Sequence, residues 1–281
     1  MIEYIKILIA SLISGATLPL PVSSAAHFSF LNGVLDFSED TSVLGFYYSV
    51  MSVAFSAVIF VMLRKIYFSC IKSVFDKDKK LTSYRKLMKN LLISLVPMLV
   101  LFVPVGDGKL LCDLFDNFLG NSSFLLVAFA SIVCAFILVI SIWYTKQSYS
   151  DTKRGTDTRT AIRTAVYQVI SYVIPGVSHI SSASTNMLMC DVESKVIVRE
   201  IYLYIAPQML FVNLVKIIRF VASDMVINPV MVIISVAAVA GISALVITKM
   251  SKINIRRIFP FFAVYCVVTG VIFAVLSFVL K

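Results

Sequence analysis

The residues best suited to chemistry in this chain lie in two short segments. The chain holds only two histidines, and each follows a proline by a few residues, among serines. Serine hydroxyls, imidazoles and the free amides of a helix start are groups that hold an anion such as phosphate. The candidate anion-binding residues of the two segments are Ser23, Ser24 and His27 in the first, and Ser178, His179 and Ser181 in the second.

A simpler explanation exists for the serines. A serine at the start of a helix caps free backbone amides, and small residues let neighbouring helices pack closely. This explanation suffices for any one serine. It accounts less well for the joint pattern, because polar and ionisable groups inside a membrane are costly and are functional by default.

The composition places these segments in a membrane protein. Of the 281 residues, 59% are hydrophobic and 14% are charged, and the mean hydropathy is +0.95. The predicted fold is therefore an all-α polytopic membrane protein, which excludes a cytosolic enzyme, a disordered chain and a disulfide-stapled secreted domain. The net charge of +10 favours basic membrane-flanking loops over nucleic-acid binding, since no basic stripe interleaves with exposed aromatics.

Six apolar segments are long enough to predict transmembrane helices: Val43–Leu63, Leu91–Val105, Phe124–Trp143, Ile201–Phe220, Val230–Ile247 and Ile258–Leu280. Two further apolar segments, Ile5–Leu20 and Ala165–Ile174, each run into a proline that interrupts the helix. We call the interruption at Pro21 the first break and the interruption at Pro175 the second break. A broken backbone at membrane depth survives only where it lines a protein or water cavity. We therefore expect two re-entrant hairpins.

The basic residues set the expected topology. Most of the 25 lie in segments 64–89, 143–163, 195–199 and 249–257, which the positive-inside rule assigns to the cytoplasm. The first hairpin then enters from outside and the second from inside. The chain is thus predicted to be one integral membrane domain, an inverted repeat of halves about 1–143 and 164–281 joined by a cytoplasmic loop. Loop 64–89 is expected to lie on the inner leaflet, and Lys216 and Arg219 to snorkel.

The two breaks resemble the signature motifs of a known family. Gly15–His27 is similar to the first motif of the bacterial undecaprenyl-pyrophosphate phosphatases, also called bacitracin-resistance phosphatases, through Gly15, Thr17, Leu20, Pro21, Val22, Ser23, Ser24 and His27. The second motif resembles the stretch that holds Pro175, Gly176 and Ser178. The resemblance covers essentially the whole chain and implies an inverted-repeat fold with two re-entrant hairpins.

The resemblance also implies a function. It implies hydrolysis of undecaprenyl pyrophosphate to the monophosphate, in recycling of the lipid carrier for the cell wall, with His27 as the catalytic residue and the serines and His179 on the phosphates. It implies Mg²⁺ or Ca²⁺ as cofactor, undecaprenyl phosphate or pyrophosphate as the lipid partner, and a multi-pass protein of the bacterial plasma membrane whose site faces outside. The oligomeric state stays open, with a homodimer among the options.

The chain departs from these motifs at three charged positions. Ser14 and Leu18 stand where the family has glutamates, and His179 stands where it has arginine. Arginine binds phosphate bidentately and is always charged, and a hard cation requires carboxylate oxygens. A second interpretation therefore stands beside the phosphatase: a catalytically degenerate homologue that binds or transports polyprenyl phosphate without cleaving it.

Overall fold

The structure is a computed structural model that describes residues 2–38, 40–76, 78–106, 108–120, 124–148, 150, 155–174, 176–223 and 225–279. Within them the α-helices are α1 Ile2–Thr17, α2 Ser24–Leu35, α3 Thr41–Met62, α4 Arg64–Phe75, α5 Thr82–Leu95, α6 Leu114–Gly120, α7 Phe124–Gln147, α8 Thr158–Val173, α9 His179–Met189, α10 Ile197–Val221, α11 Pro229–Met250 and α12 Ile255–Val279. Short 3₁₀ segments lie at Lys79–Leu81, Pro97–Phe102 and Leu111–Asp113, and the strands β1 Pro104–Gly106 and β2 Lys109–Leu110 pair antiparallel.

Five of the described helices are long and apolar enough to cross a membrane. They are α3, α7, α10, α11 and α12, with 22 to 25 residues each. At 1.5 Å per residue each covers the roughly 30 Å of a hydrocarbon core. The prediction of an all-α polytopic membrane protein is confirmed.

The sixth predicted span, Leu91–Val105, is not a single helix. Helix α5 ends at Leu95, a 3₁₀ segment runs from Pro97 to Phe102, and Pro104 begins β1. The physical reason is Pro97, which has no N–H to donate to the preceding turn. The basic loop 64–89 likewise forms helices α4 and α5, which pack against each other around a 3₁₀ turn.

The two segments predicted to be hairpins each fold as a pair of short helices. Helices α1 and α2 have 16 and 12 residues, and helices α8 and α9 have 16 and 11. The described residues between the two helices of each pair are non-helical, and the two helices of each pair contact each other. None of the four helices reaches the length of a full span.

Helices α3 and α10 pack together at the centre of the bundle, with α7 against α12 and α1 against α11 around them. Phe55 of α3 and Tyr204 of α10 are among the largest fully buried side chains. Each short-helix pair contacts this central pair, since α1 contacts α3 and α9 contacts α10.

The prediction that Lys216 snorkels is wrong, whereas for Arg219, whose side chain is 38% exposed, snorkelling stays a prediction. The Lys216 side chain is 6% exposed and pairs with Asp116 of α6, while Arg219 donates to Asp113 over 2.6 Å. Partial burial raises the pKa of Asp113, but hydrogen bonds from the Leu110 N–H and from Arg219, with the charges of both cations, outweigh it and hold the pKa below its ordinary value. Both cations therefore pair with aspartates that follow β2 in the chain.

Candidate functional site

The first break ends where Ser23 caps α2. The Ser23 hydroxyl accepts from the Ala26 N–H over 3.2 Å, as the capping explanation predicts. The next hydroxyl has a different partner, since Ser24 shares a 2.6 Å hydrogen bond with the Tyr48 hydroxyl of α3. The Ser23 hydroxyl thus bonds within its own helix α2, whereas the Ser24 hydroxyl bonds to the neighbouring helix α3.

His27 is fixed at both ring nitrogens. Nδ1 lies 2.7 Å from the Ser23 carbonyl, which can only accept, so Nδ1 carries the proton. Nε2 then accepts from the Tyr265 hydroxyl of α12 over 2.8 Å, with the two rings only 6° from parallel. The edge of Phe273 packs against the imidazole. In the neutral imidazole with this tautomer, the basic nitrogen Nε2 faces α12.

The second break repeats the cap. The Ser178 hydroxyl accepts from the Ser181 N–H over 3.3 Å and so caps α9. Gly176 adopts φ +87°, and a Cβ at this position would overlap the backbone of Ala130 in α7. Only glycine meets both requirements. Pro175 of the same motif lies outside the described residues.

His179 is held by helix α8. Its Nδ1 lies 2.8 Å from the Gln168 amide oxygen, and the Gln168 amide nitrogen donates to the His179 carbonyl over 2.8 Å. The Tyr172 ring centroid lies 4.6 Å from that of the imidazole. Because an amide oxygen can only accept, His179 also carries a proton on Nδ1.

The two breaks meet. The Ser178 hydroxyl donates to the Leu20 carbonyl over 3.5 Å, and the Cys134 thiol of α7 donates to the Pro21 carbonyl over 3.6 Å. The Tyr202 hydroxyl of α10 donates to the Pro19 carbonyl over 2.9 Å. Hydrogen bonds from α7 and α10 thus hold the first break in place.

A small cavity lies where the breaks meet, and its described lining is Ser23, Ser24, Ala25, Tyr48, Val177, Ser178 and His179. Its volume is about 10 Å³, which is room for about one water molecule. Four of the six predicted site residues therefore share one cavity. His27 and Ser181 are not among its lining residues, since His27 faces Tyr265 and the Ser181 hydroxyl donates to the Ser178 carbonyl.

Sequence reasoning missed the side chains that orient these residues. Tyr48, Gln168 and Tyr265 contact Ser24, His179 and His27 from positions 24, 11 and 238 residues away in the chain. For Gln168 a signal exists, because an amide side chain in an apolar helix must find a partner. The tyrosines carry no such signal, since hydroxyls at membrane interfaces are common.

The glutamate positions of the resembled motif hold no charge. Ser14 is fully buried, and its hydroxyl has no hydrogen-bond partner among the described residues. Leu18 is 4% exposed. Over the described part of the chain no three His, Cys, Asp or Glu residues gather as a metal site would require. Because Mg²⁺ and Ca²⁺ select carboxylate oxygens, the hydroxyls and imidazoles of the two breaks do not fit either ion.

Comparison with known proteins decides the family. The model of the family described as bacitracin resistance protein BacA matches residues 7–272. The chain belongs to the BacA family. The match spans both breaks and all five long helices apart from the last few residues of α12.

Curated relatives of the BacA family are distant but match over most of their length. A protein named undecaprenyl-diphosphatase from Korarchaeum cryptofilum is 24% identical over 98% of this chain and 99% of its own. Proteins of the same name from Lacticaseibacillus paracasei and Limosilactobacillus fermentum are 25% and 26% identical over 78% and 79% of this chain, and 77% of their own.

Proposed function

We propose that this chain hydrolyses undecaprenyl pyrophosphate to undecaprenyl phosphate and inorganic phosphate. The observation that carries the proposal is the meeting of two serine-capped helix starts, α2 and α9, around one cavity in a protein of the BacA family. Helix starts attract anions through their free amides and the helix dipole. The names of the distant relatives support the same substrate.

The proposal includes the inverted-repeat architecture of six transmembrane helices and two re-entrant hairpins. Helices α1 and α2 correspond to α8 and α9, and α3 corresponds to α10, with similar lengths in each pair. The packing of α1 against α11 has its counterpart in the packing of α8 against α5. On this reading α5 and the 3₁₀ segment that follows it, residues 82–102, form the sixth crossing.

The pyrophosphate enters between the helix starts. Main-chain amides of α2 and α9 and the Ser24 hydroxyl, once it leaves Tyr48, are the donors nearest the cavity. At about 10 Å³ the cavity is too small for a pyrophosphate group, so binding requires the breaks to move apart. The uncharged donors bind through position and dipole more than through net charge.

His27 supplies the basic nitrogen. Its Nε2 either attacks the terminal phosphorus or takes the proton of an attacking water, and both roles require it to leave the Tyr265 hydroxyl. The bond from the terminal phosphorus to the bridging oxygen breaks, and undecaprenyl phosphate leaves with that oxygen. Water completes the reaction, directly or by hydrolysing the phosphohistidine, and inorganic phosphate is released.

No step in this scheme uses a divalent metal. The family resemblance implies Mg²⁺ or Ca²⁺, but Ser14 and Leu18 offer no carboxylate where one is expected. We therefore expect hydrolysis to persist in EDTA, at a rate lowered by the missing charges. In other enzymes the loss of one such stabilising group costs roughly 100- to 1,000-fold in rate.

The test is product analysis with purified protein in detergent. Undecaprenyl pyrophosphate is incubated with the wild type in Mg²⁺, Ca²⁺ or EDTA, and inorganic phosphate and undecaprenyl phosphate are both quantified. The expected result is equal molar amounts of the two products in all three conditions. Activity that disappears in EDTA would show that carboxylates elsewhere hold a metal.

A second candidate function is binding or transport of polyprenyl phosphate without cleavage. The uncharged break and the arginine position taken by His179 favour it. The same samples decide between the two, because a binding protein retains intact lipid and releases no phosphate. Lipid retention that weakens in His27→Ala, with no phosphate released, would establish the second function.

The proposed setting is the bacterial plasma membrane, with the site open to the outside. The basic segments that include residues 64–89 and 249–257 support a cytoplasmic location for their ends of the helices. The first break then opens on the opposite side. A homodimer stays a prediction, which the mass of the detergent-solubilised protein would test.

A further inference from the structure

A second cavity lies between the end of α7 and the start of α12, and its lining residues are distant in sequence from both breaks. Its volume is about 550 Å³, and its described lining is Ile142, Thr145, Lys146, Asn254, Arg256, Arg257 and Pro260. Pockets that hold small ligands typically measure roughly 300–1,000 Å³. The cavity is therefore large enough for a ligand, and both of its walls come from the helix pair α7 and α12, which packs along its length.

The charge of this cavity is positive. Three of its lining side chains are cationic, and none of the described ones is acidic. Lys146 and Arg257 make no ion pair with any residue that the structure describes, in contrast to Lys216 and Arg219, which pair with aspartates. An anion entering the cavity would meet Lys146 and Arg257, which have no carboxylate partner in the described structure.

One side of the cavity continues into apolar, exposed surface. Ile142 and Pro260 line it, and Val139 and Val264 follow one turn deeper on the same helix faces. Val139 is 51% exposed and Val264 is 64% exposed. Trp143, 62% exposed at the same end of α7, is of the type that lies at the level of lipid headgroups.

We propose that this cavity binds the phosphate-containing headgroup of an anionic phospholipid. Lys146 and Arg257 neutralise the phosphate, and the acyl chains lie along the exposed faces of α7 and α12. Basic pockets between transmembrane helices on the cytoplasmic side bind such headgroups, and this end is the one that the basic segments assign to the cytoplasm. The lipid would join the two helices, and so stabilise the fold, whatever the chemistry of the breaks.

The test is thermal unfolding of the full chain in detergent with added phosphatidylglycerol, phosphatidylcholine or inorganic phosphate. The wild type, the double variant Lys146→Gln/Arg257→Gln, the single variant Lys146→Gln and the control Lys79→Gln/Lys80→Gln are compared. The control removes the same charge from exposed residues outside the cavity, on the side also predicted to be cytoplasmic. Both cavity substitutions replace exposed side chains, so all four proteins are expected to fold.

Phosphatidylglycerol should raise the midpoint of the wild type and the control, whereas phosphatidylcholine should not. The apparent affinity for phosphatidylglycerol should fall about fivefold in the single variant and roughly twenty- to thirty-fold in the double variant. Equal shifts with both phospholipids, or an unchanged affinity in the double variant, would overturn the proposal. A shift produced by inorganic phosphate alone would assign the cavity to a free anion and refute the lipid.

Discussion

The substitution Gly176→Ala tests how the second break is built. Gly176 combines φ +87° with close approach to the Ala130 backbone of α7. A left-handed conformation costs an alanine on the order of 1–2 kcal/mol, and overlap with backbone cannot be relieved by a side-chain rotation. We therefore expect a loss of at least about 2 kcal/mol in the free energy of unfolding.

Gly241→Ala is the matched control. Gly241 lies inside α11, and an added Cβ would meet nothing within 4 Å. Alanine in a helix interior gains up to about 1 kcal/mol over glycine. The free energy of unfolding should therefore fall in Gly176→Ala and rise in Gly241→Ala, so that the two variants differ by about 3 kcal/mol.

The assay is thermal unfolding of both variants in detergent, followed by helical circular dichroism. On the scaling of globular proteins, about 2 kcal/mol in a chain of this length lowers the midpoint by on the order of 4 °C. Gly176→Ala should also weaken retention of undecaprenyl pyrophosphate, because the start of α9 moves away from α7. A Gly176→Ala midpoint equal to that of Gly241→Ala would refute the argument that glycine is required at this break.

Further predictions concern the side chains around His27 and α10. Tyr265→Phe removes the hydroxyl that occupies His27 Nε2, so the rate of phosphate release should rise at least threefold, because both proposed roles of His27 require Nε2 to leave that hydroxyl. Tyr4→Phe, outside the site, should leave the rate unaltered. Asp113→Asn should lower the unfolding free energy by about 1–3 kcal/mol at pH 7, because Arg219 loses the carboxylate charge that it pairs with. Because the pKa of Asp113 is depressed, the stability that this pair contributes is complete above the ordinary value of 3.8 and is lost as the pH falls through the folded value. Denaturant titration at a series of pH values from 7 downward measures this loss.

The sequence predicts most of what hydrophobic length and proline chemistry determine. Five of the six predicted spans are long helices, because twenty apolar residues have one stable form in a bilayer. The breaks at Pro21 and Gly176 interrupt helices where predicted, and the capping explanation holds for Ser23 and Ser178. These features depend on local residues alone.

The sequence does not predict side-chain contacts between residues that are distant in the chain. Nothing near His27 in the chain indicates that Tyr265 occupies its nitrogen, and nothing near Lys216 indicates that Asp116 replaces solvent as its partner. The segment Leu91–Val105 is not a single helix for a local reason, since Pro97 ends the α-helix despite the hydropathy of its neighbours. Contacts between helices depend on how the helices pack, and the residues near one position in the sequence do not indicate which distant residues will contact it.

The measurement that tests the central claim most directly is the rate of phosphate release from undecaprenyl pyrophosphate by the wild type and by His27→Ala. The two proteins must show the same unfolding midpoint, so that a difference in rate is not due to unfolding. General acid–base or nucleophilic use of His27 predicts a fall of roughly 100- to 10,000-fold. Restoration of part of the rate by added imidazole would locate the loss at the missing ring. Equal rates in the two proteins would contradict the claim that the breaks of α2 and α9 form a phosphatase site.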